Sequence, residues 1–462
     1  PIDNFDEHDN IYDTLISAKK ITSSDVLRVI KKITWSSGTI YEMYRPDYSI
    51  NKLSPQTSST NLYSTNYYVM NSDFRVYECI YNGASPSNSG GGVISLEEPV
   101  HTDLQPRQES DGYVWKYLYT IKPSDIIKFD SAEYIPVPDN WSTNTDVADV
   151  RNSAVDGKIE TIVIEDVANA TYQFNGTKNA VPIRGDGSDG LASVTFINGK
   201  PSAVQVTNGG SGYSFATLDL DAVVTGSGAS FSVIVPPPGG HGADIYRELG
   251  ANKVLVYSRI ENSDVTNPDF PTGNQFARIG IIENPQQFGS TDLLTIASAS
   301  GVYGLKLVGA ATTSMSVKVD GEIRQTTGIG STAVGQIIGY DPVTKSLQYW
   351  QDRSLATNDS SGNKPTYGYK LNRFTASPAT GGSTNIIVTT TGGTETLSID
   401  TGFTGVSTTV NSQTYYFGQT YNNGLANPEI KKYSGNIIYI DQRPEVTRAT
   451  NQREDIKIIL EF

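Results

Sequence analysis

The stretch "DGYVWKYLYTI", Asp111 to Ile121, sets large aromatic rings at every second position. A helix would scatter these rings around its circumference, whereas a strand collects alternate side chains on one side. The spacing predicts a strand in which Tyr113, Trp115, Tyr117, Tyr119 and Ile121 share one face, opposite Val114, Lys116, Leu118 and Thr120. Each such ring buries about 150 to 250 Å². The row must therefore meet a core, a subunit boundary or a sugar.

The rest of the chain points the same way. Its 43 glycines, 27 tyrosines and recurring Thr, Val and Ile runs match the turn and strand preferences of antiparallel sheet. At 462 residues it is long for one core, and a prior of about 150 residues per domain suggests roughly three. The expected class is mainly β and multidomain, with a few short helices. "NIYDTLISAKK" spaces Ile11, Leu15 and Ile16 as one helical face, while "SSDVLRVIKKITW" mixes a capping start with β-branched residues and stays ambiguous. "YYVM" and "FRVYECIY" read as a hairpin, and "EYIPVP" reads as an edge strand because prolines cannot donate to a ladder.

Two blocks interrupt this body, which takes residues 1–154, 236–290 and 426–462. Residues 155–235 hold alternating runs around Asn198-Gly199 and end before "PPPGG", as a small inserted β domain would. Residues 291–425 shift toward Gly, Ser and Thr, with strand pairs in "VGQIIGYDPVTKSLQYW" and "NIIVTTTGGTETLSI". This reads as a second β insertion. No repeat of fixed period runs through the chain, so a solenoid or propeller is not expected.

A formal net charge of −14 argues against a nucleic-acid partner. The basic segment Lys19, Lys20, Arg28, Lys31 and Lys32 is read as a solvated face. The single cysteine, Cys79, excludes an intrachain disulfide and reads as a small buried hydrophobe. No apolar run approaches the ~18 residues of a membrane-spanning helix, and no signal segment opens the chain. A soluble protein made in a reducing cytoplasm is expected. Pro1 in place of Met suggests processing or a missing N-terminal portion.

Chemistry has little to build on. The three histidines, His8, His101 and His241, lie in unlike surroundings without partners at metal spacing, so no catalytic residue, metal ligand or cofactor is nominated. His241 in "PPPGGHGAD" is the most suggestive, yet is expected to sit in a tight turn and bond backbone. "GDGSDG", Gly185 to Gly190, lacks the layout of a calcium loop and is read as a turn.

Five stretches in order, "DGYVWKYLYTI", "EYIPVP", "FARIGIIENP", "SGNIIYIDQRP" and "EDIKIILEF", resemble the peripheral wedge proteins of baseplates in T-even-like contractile-tailed bacteriophages. The C-terminal part of the likeness rests on Ser434, Gly435, Tyr439, Arg443, Pro444 and Phe462. The likeness covers roughly half the chain and leaves out both insertions. It implies an antiparallel β-sandwich body and a non-enzymatic homodimer that contacts other wedge proteins in the virion tail baseplate, assembled in the host cytoplasm. It supplies no catalytic residue. Under it the row Tyr113, Trp115, Tyr117 and Tyr119 packs in a core or interface, and contact of the insertions with the host surface stays open. A receptor-binding or polysaccharide-degrading tail protein is the alternative, with the insertions as working parts.

Overall fold

The computed structural model describes residues 11–88, 90–261, 269, 275–309, 316–351, 372–447 and 452–461. Phe462 and His8 lie outside them. The protein is mainly β, with antiparallel strand pairing in every sheet and only short helices. Among the described residues no helix is long and apolar enough to cross a membrane.

The chain divides into two units: residues 23–257 with 457–462, and residues 1–22 with 258–456. These cuts differ from the expected ones. The 155–235 block belongs to the first unit together with the N-terminal body, and the 291–425 block falls in the second with "FARIGIIENP" and "SGNIIYIDQRP". The ambiguous N-terminal segment is settled by its β-branched residues: after a short turn at Ser23–Asp25, Val26–Lys31 is a strand. Among the described residues the expected helix is found at residues 11–13 and passes into strand Ser17–Lys19.

In the first unit, two four-stranded antiparallel sheets form the body. One runs Tyr68–Met70, Arg75–Tyr81, Val114–Thr120, Arg107–Gln108, and the other runs Glu454–Glu461, Lys253–Ile260, Val26–Lys31, Tyr134–Pro136. Pro136 thus sits on an edge strand, where its missing N–H costs no ladder bond. Residues of both sheets, among them Ile30, Ile135, Tyr68, Trp115 and Tyr119, meet in one hydrophobic core. The 155–235 block builds its own four-stranded sheet from Gly176–Gly185, Leu191–Ile197, Lys200–Asn208 and Ala216–Leu218. Its hairpin turns at Asn198-Gly199, both at positive φ (53° and 72°), as a two-residue turn between twisted strands requires. Arg45 ties this block to the body: its guanidinium meets Asp47 at 2.8 Å and Glu165 at 2.7 Å, and Lys52 meets the same two carboxylates.

In the second unit, strands Tyr303–Val308, Glu322–Gly328, Ser331–Asp341, Ser346–Trp350, Asn385–Thr390 and Gly393–Ile399 close into a barrel, because Tyr303–Val308 also pairs with Ser346–Trp350. Alternate residues such as Leu305, Leu307, Ile323, Ile337, Leu347, Ile386 and Val388 fill its core. Gly335 stands where a Cβ would lie 2.7 Å from the Tyr349 ring, so the small residue makes room for the large one. Elsewhere in the unit, Gln275–Glu283 pairs along its length with Asn436–Thr447.

The strand within Asp111–Ile121 spans Val114–Thr120, and it corrects one expectation. The rings do not all share a face. Trp115 pairs with Cys79, Lys116 with Glu78 and Tyr117 with Tyr77, but the register then slips so that Tyr119 pairs with Val76. Leu118 is the extra residue of a β-bulge, which reverses the alternation after Tyr117. Tyr113, Trp115 and Tyr117 stay on the Tyr77 and Cys79 side, while Tyr119 joins Lys116 on the Glu78 side. Tyr113 stacks on Trp115 at 5.3 Å, Tyr41 meets Trp115 edge-on at 5.8 Å, and Tyr117 meets Tyr77 at 5.8 Å. Tyr119 instead faces Trp141 at 6.5 Å and donates to the Pro136 carbonyl.

Trp115 is wholly buried, and its indole N–H has no hydrogen-bond partner, so ring packing must offset that loss. Trp115→Ala should destabilise the unit by about 3 to 5 kcal/mol, read as a lowered urea midpoint at unchanged slope. A midpoint within error of the parent would show that the rings do not carry this core.

Candidate functional site: a buried Glu, His, Glu cluster

Strand Arg75–Tyr81 is buried over Val76 to Ile80. Any charged residue in that run is therefore carried into the interior, and Glu78, with no solvent exposure, is the one. Its cross-strand partner is Lys116, also buried. The ammonium of Lys116 does not turn to Glu78 but donates to the Leu104 carbonyl at 2.8 Å.

The second component comes from "PPPGGHGAD". Gly239, Gly240 and Gly242 all hold φ near +90°, a region that favours glycine. A Cβ on Gly240 would run into the Val155 carbonyl oxygen, so this turn also needs glycine for close approach. The Trp141 indole N–H fastens the turn by donating to the carbonyls of Gly242 (3.1 Å) and Ala243 (3.0 Å). The turn leads into a single helical turn, Ile245–Glu248, capped by Asp244, whose side chain accepts from the Tyr246 and Arg247 N–H groups. That turn ends on Glu248, which is buried.

These pieces converge on His241. Its Nδ1 lies 2.8 Å from Glu248 Oε1 and 2.8 Å from Glu78 Oε2. One ring nitrogen carries one hydrogen at most, and it is aligned with Glu248; neither oxygen of Glu78 has a hydrogen-bond partner. Glu248 is better served, because its Oε2 accepts from the Gly242 N–H at 2.7 Å. The edge of the Tyr44 ring closes over the imidazole at 4.8 Å, and Tyr67 donates to the Glu248 carbonyl at 2.6 Å. The expectation that His241 bonds backbone is thus corrected: two carboxylates claim its ring.

The electrostatics follow from burial. Loss of solvent, then the neighbouring Glu248 charge, push Glu78 up to about 8 despite His241. Burial alone would lower His241, but the two carboxylates outweigh it and hold the ring's pKa at about 10. Burial opposes ionisation of Glu248 as well, yet its bonds to His241 hold it below the usual carboxylate range. Lys116 is pushed down by burial, against the pull of Glu248, Glu160 and Glu78. Burial thus favours a proton on Glu78, while the carboxylates favour one on His241 and the His241 bonds favour ionisation of Glu248.

The other residues singled out from sequence lie elsewhere. Tyr113, Trp115 and Tyr119 are buried and Tyr117 is half-buried. In the second unit, Ser434 accepts at its carbonyl from Tyr12 and at its hydroxyl from the Gln286 N–H, while Gly435 at φ +78° packs where a Cβ would strike the Glu283 carbonyl. Tyr439 pairs with Ile281; Arg443 is exposed and bonds Asp441, and exposed Pro444 falls where the ladder slips. None of these joins the cluster. His101 is buried without a hydrogen-bond partner for either ring nitrogen, and burial lowers its pKa. In the Gly185 to Gly190 turn, Asp186 braces Ser214 and Phe215.

The cluster makes stability pH-dependent in a defined direction. Folded Glu78 keeps its proton up to about 8, whereas the unfolded side chain loses it near 4.5, so stability falls as pH rises through that interval. His241 keeps its proton up to about 10 against 6.5 when unfolded, so its contribution is fully present below 6.5 and is lost as pH rises toward 10. Depressed Glu248, with Asp47 and Glu165 each held down at about 2, acts oppositely: their contributions are lost as pH falls below the unfolded values. Thermal midpoints measured with a chelator present should therefore peak near pH 5 and decline toward pH 10, and Glu78→Gln should flatten the limb between 4.5 and 8. A flat profile from pH 5 to 9 would refute this. Comparison with protein-family models, curated proteins and solved structures finds no match to this chain.

Proposed function

We propose that the protein is a structural subunit of a contractile-tail baseplate wedge, acting as a homodimer that presents stiff, complementary faces to other wedge proteins and makes or breaks no covalent bond. The ordered likeness of its strand motifs to that family supports the reading. The observation that carries it furthest is the state of the aromatic rings: Tyr113 and Trp115 are 0% exposed and Tyr119 is 1% exposed. A carbohydrate platform needs such rings in water, ready to stack on a sugar, whereas a scaffold needs them inside. A closed barrel suits the same role, because closure leaves no unpaired strand edge among its strands and its surface holds shape.

The mechanism in this reading is mechanical. The net charge of −14 keeps free subunits apart in the host cytoplasm and steers them to basic partners. Rearrangement on tail contraction moves stiff bodies about their interfaces. Light scattering of the purified chain should give twice the 50.0 kDa chain mass, and mixing with the other wedge proteins should give a larger complex. A strict monomer that joins no tail component, or one that binds or cleaves a glycan, would overturn the proposal.

A further inference from the structure

We propose that Glu78, His241 and Glu248 form a binding site for one divalent transition-metal ion, zinc by the character of its donors. The inference is independent of the baseplate reading. Three ligand atoms from three separate segments, a strand, a glycine turn and the helical turn after it, lie within 4.8 Å of one another. One imidazole nitrogen with carboxylate oxygens is a donor set zinc accepts.

The second observation is the orphaned Glu78 carboxylate. It is fully buried and neither oxygen has a hydrogen-bond partner, although Lys116 lies opposite it in register. Lys116 spends its ammonium on the Leu104 carbonyl. An acid placed this deep, with only the imidazole nitrogen it shares with Glu248 beside it, is costly. A cation held at Glu78 Oε2, Glu248 Oε1 and His241 Nδ1 removes that cost. Bonds of about 2.0 to 2.2 Å would place tetrahedral donors about 3.3 Å apart, so the present 2.8 Å contacts must open by roughly half an ångström. The Gly242 N–H on Glu248 Oε2 already orients one ligand, as outer contacts do in metal sites.

The ion takes the place of protons. The ligands bind a cation in their deprotonated forms, so uptake competes with protons and strengthens as pH rises. The ion cross-links the strand, the glycine turn and the helical turn, and its role is to hold the fold together. Its closed surroundings mean that it enters as the chain folds.

The test uses the full chain, unfolded in chelator and refolded with Zn²⁺ or Co²⁺ or with neither. The expected result is one tightly held equivalent per chain, a thermal midpoint raised by several degrees over the metal-free protein, and visible absorption from bound Co²⁺. Glu78→Gln keeps the shape but removes a charged ligand, and His241→Gln removes the nitrogen; each should weaken binding at least tenfold and abolish the Co²⁺ bands. Wild-type protein that refolds with no retained metal and the same midpoint with or without Zn²⁺ would overturn the proposal. So would metal retained equally by both variants, which would place it elsewhere. A Glu78→Gln protein that melts higher than a metal-free wild type at neutral pH, while wild type takes up no ion, would assign the cluster to proton sharing alone.

Discussion

The pairing of Arg75–Tyr81 with Val114–Thr120 is the constraint on which the first unit depends. Both strands lie inside their sheet, so each must offer acceptable side chains on two faces at once. One face does so with Cys79, Tyr77, Tyr113 and Trp115 in an aromatic pack. The other carries Glu78 and Lys116 beside Val76 and Tyr119. The bulge at Leu118 connects the two, because it moves Tyr119 from the first face to the second, against Trp141. Trp141 in turn fastens the glycine turn that delivers His241.

A charged pair on a buried face obliges the surrounding chain to supply compensation. In this unit it comes from the region after the inserted β block, where Gly239, Gly240 and Gly242 allow the backbone to fold back close to Val155 and Val150. Lys116 finds a carbonyl, Glu248 finds a ring nitrogen and a backbone N–H, and Glu78 finds only a neighbouring ring nitrogen whose hydrogen points elsewhere. A polar core satisfied in all but one member is a costly arrangement, and here it defines where a proton or a metal ion must reside. The Arg45, Asp47, Lys52 and Glu165 group differs: it is partly open to water, its charges are balanced, and it joins the inserted block to the body.

Much of the local structure was legible because its causes are local. Asn198-Gly199 specifies a tight hairpin, Pro136 an edge, and the β-branched run Val26–Lys31 a strand, each through the backbone preferences of a few adjacent residues. The strand pair expected in "NIIVTTTGGTETLSI" forms as a hairpin that turns on Thr391-Gly392, with Gly393 already paired to Thr390. The candidate site was half visible. His241 stood out by its glycines, and Glu78 is an acid amid a run apolar on both faces, a signal that a buried partner is needed. Nothing in the chain joins the two, since they lie far apart in sequence and meet only when the sheet is formed.

The sequence by itself determined a β-rich chain in several parts, held by burial without a disulfide, because composition and side-chain period act at short range. Tertiary structure alone decided where the parts divide, which strands close the barrel, and on which side of its sheet each ring lies. A single extra residue at Leu118 reverses that side, and its cause is the register with a partner strand rather than any preference of Leu118 itself. The same holds for the cluster: three titratable groups acquire their shifted affinities for protons only when packing removes water from all of them together.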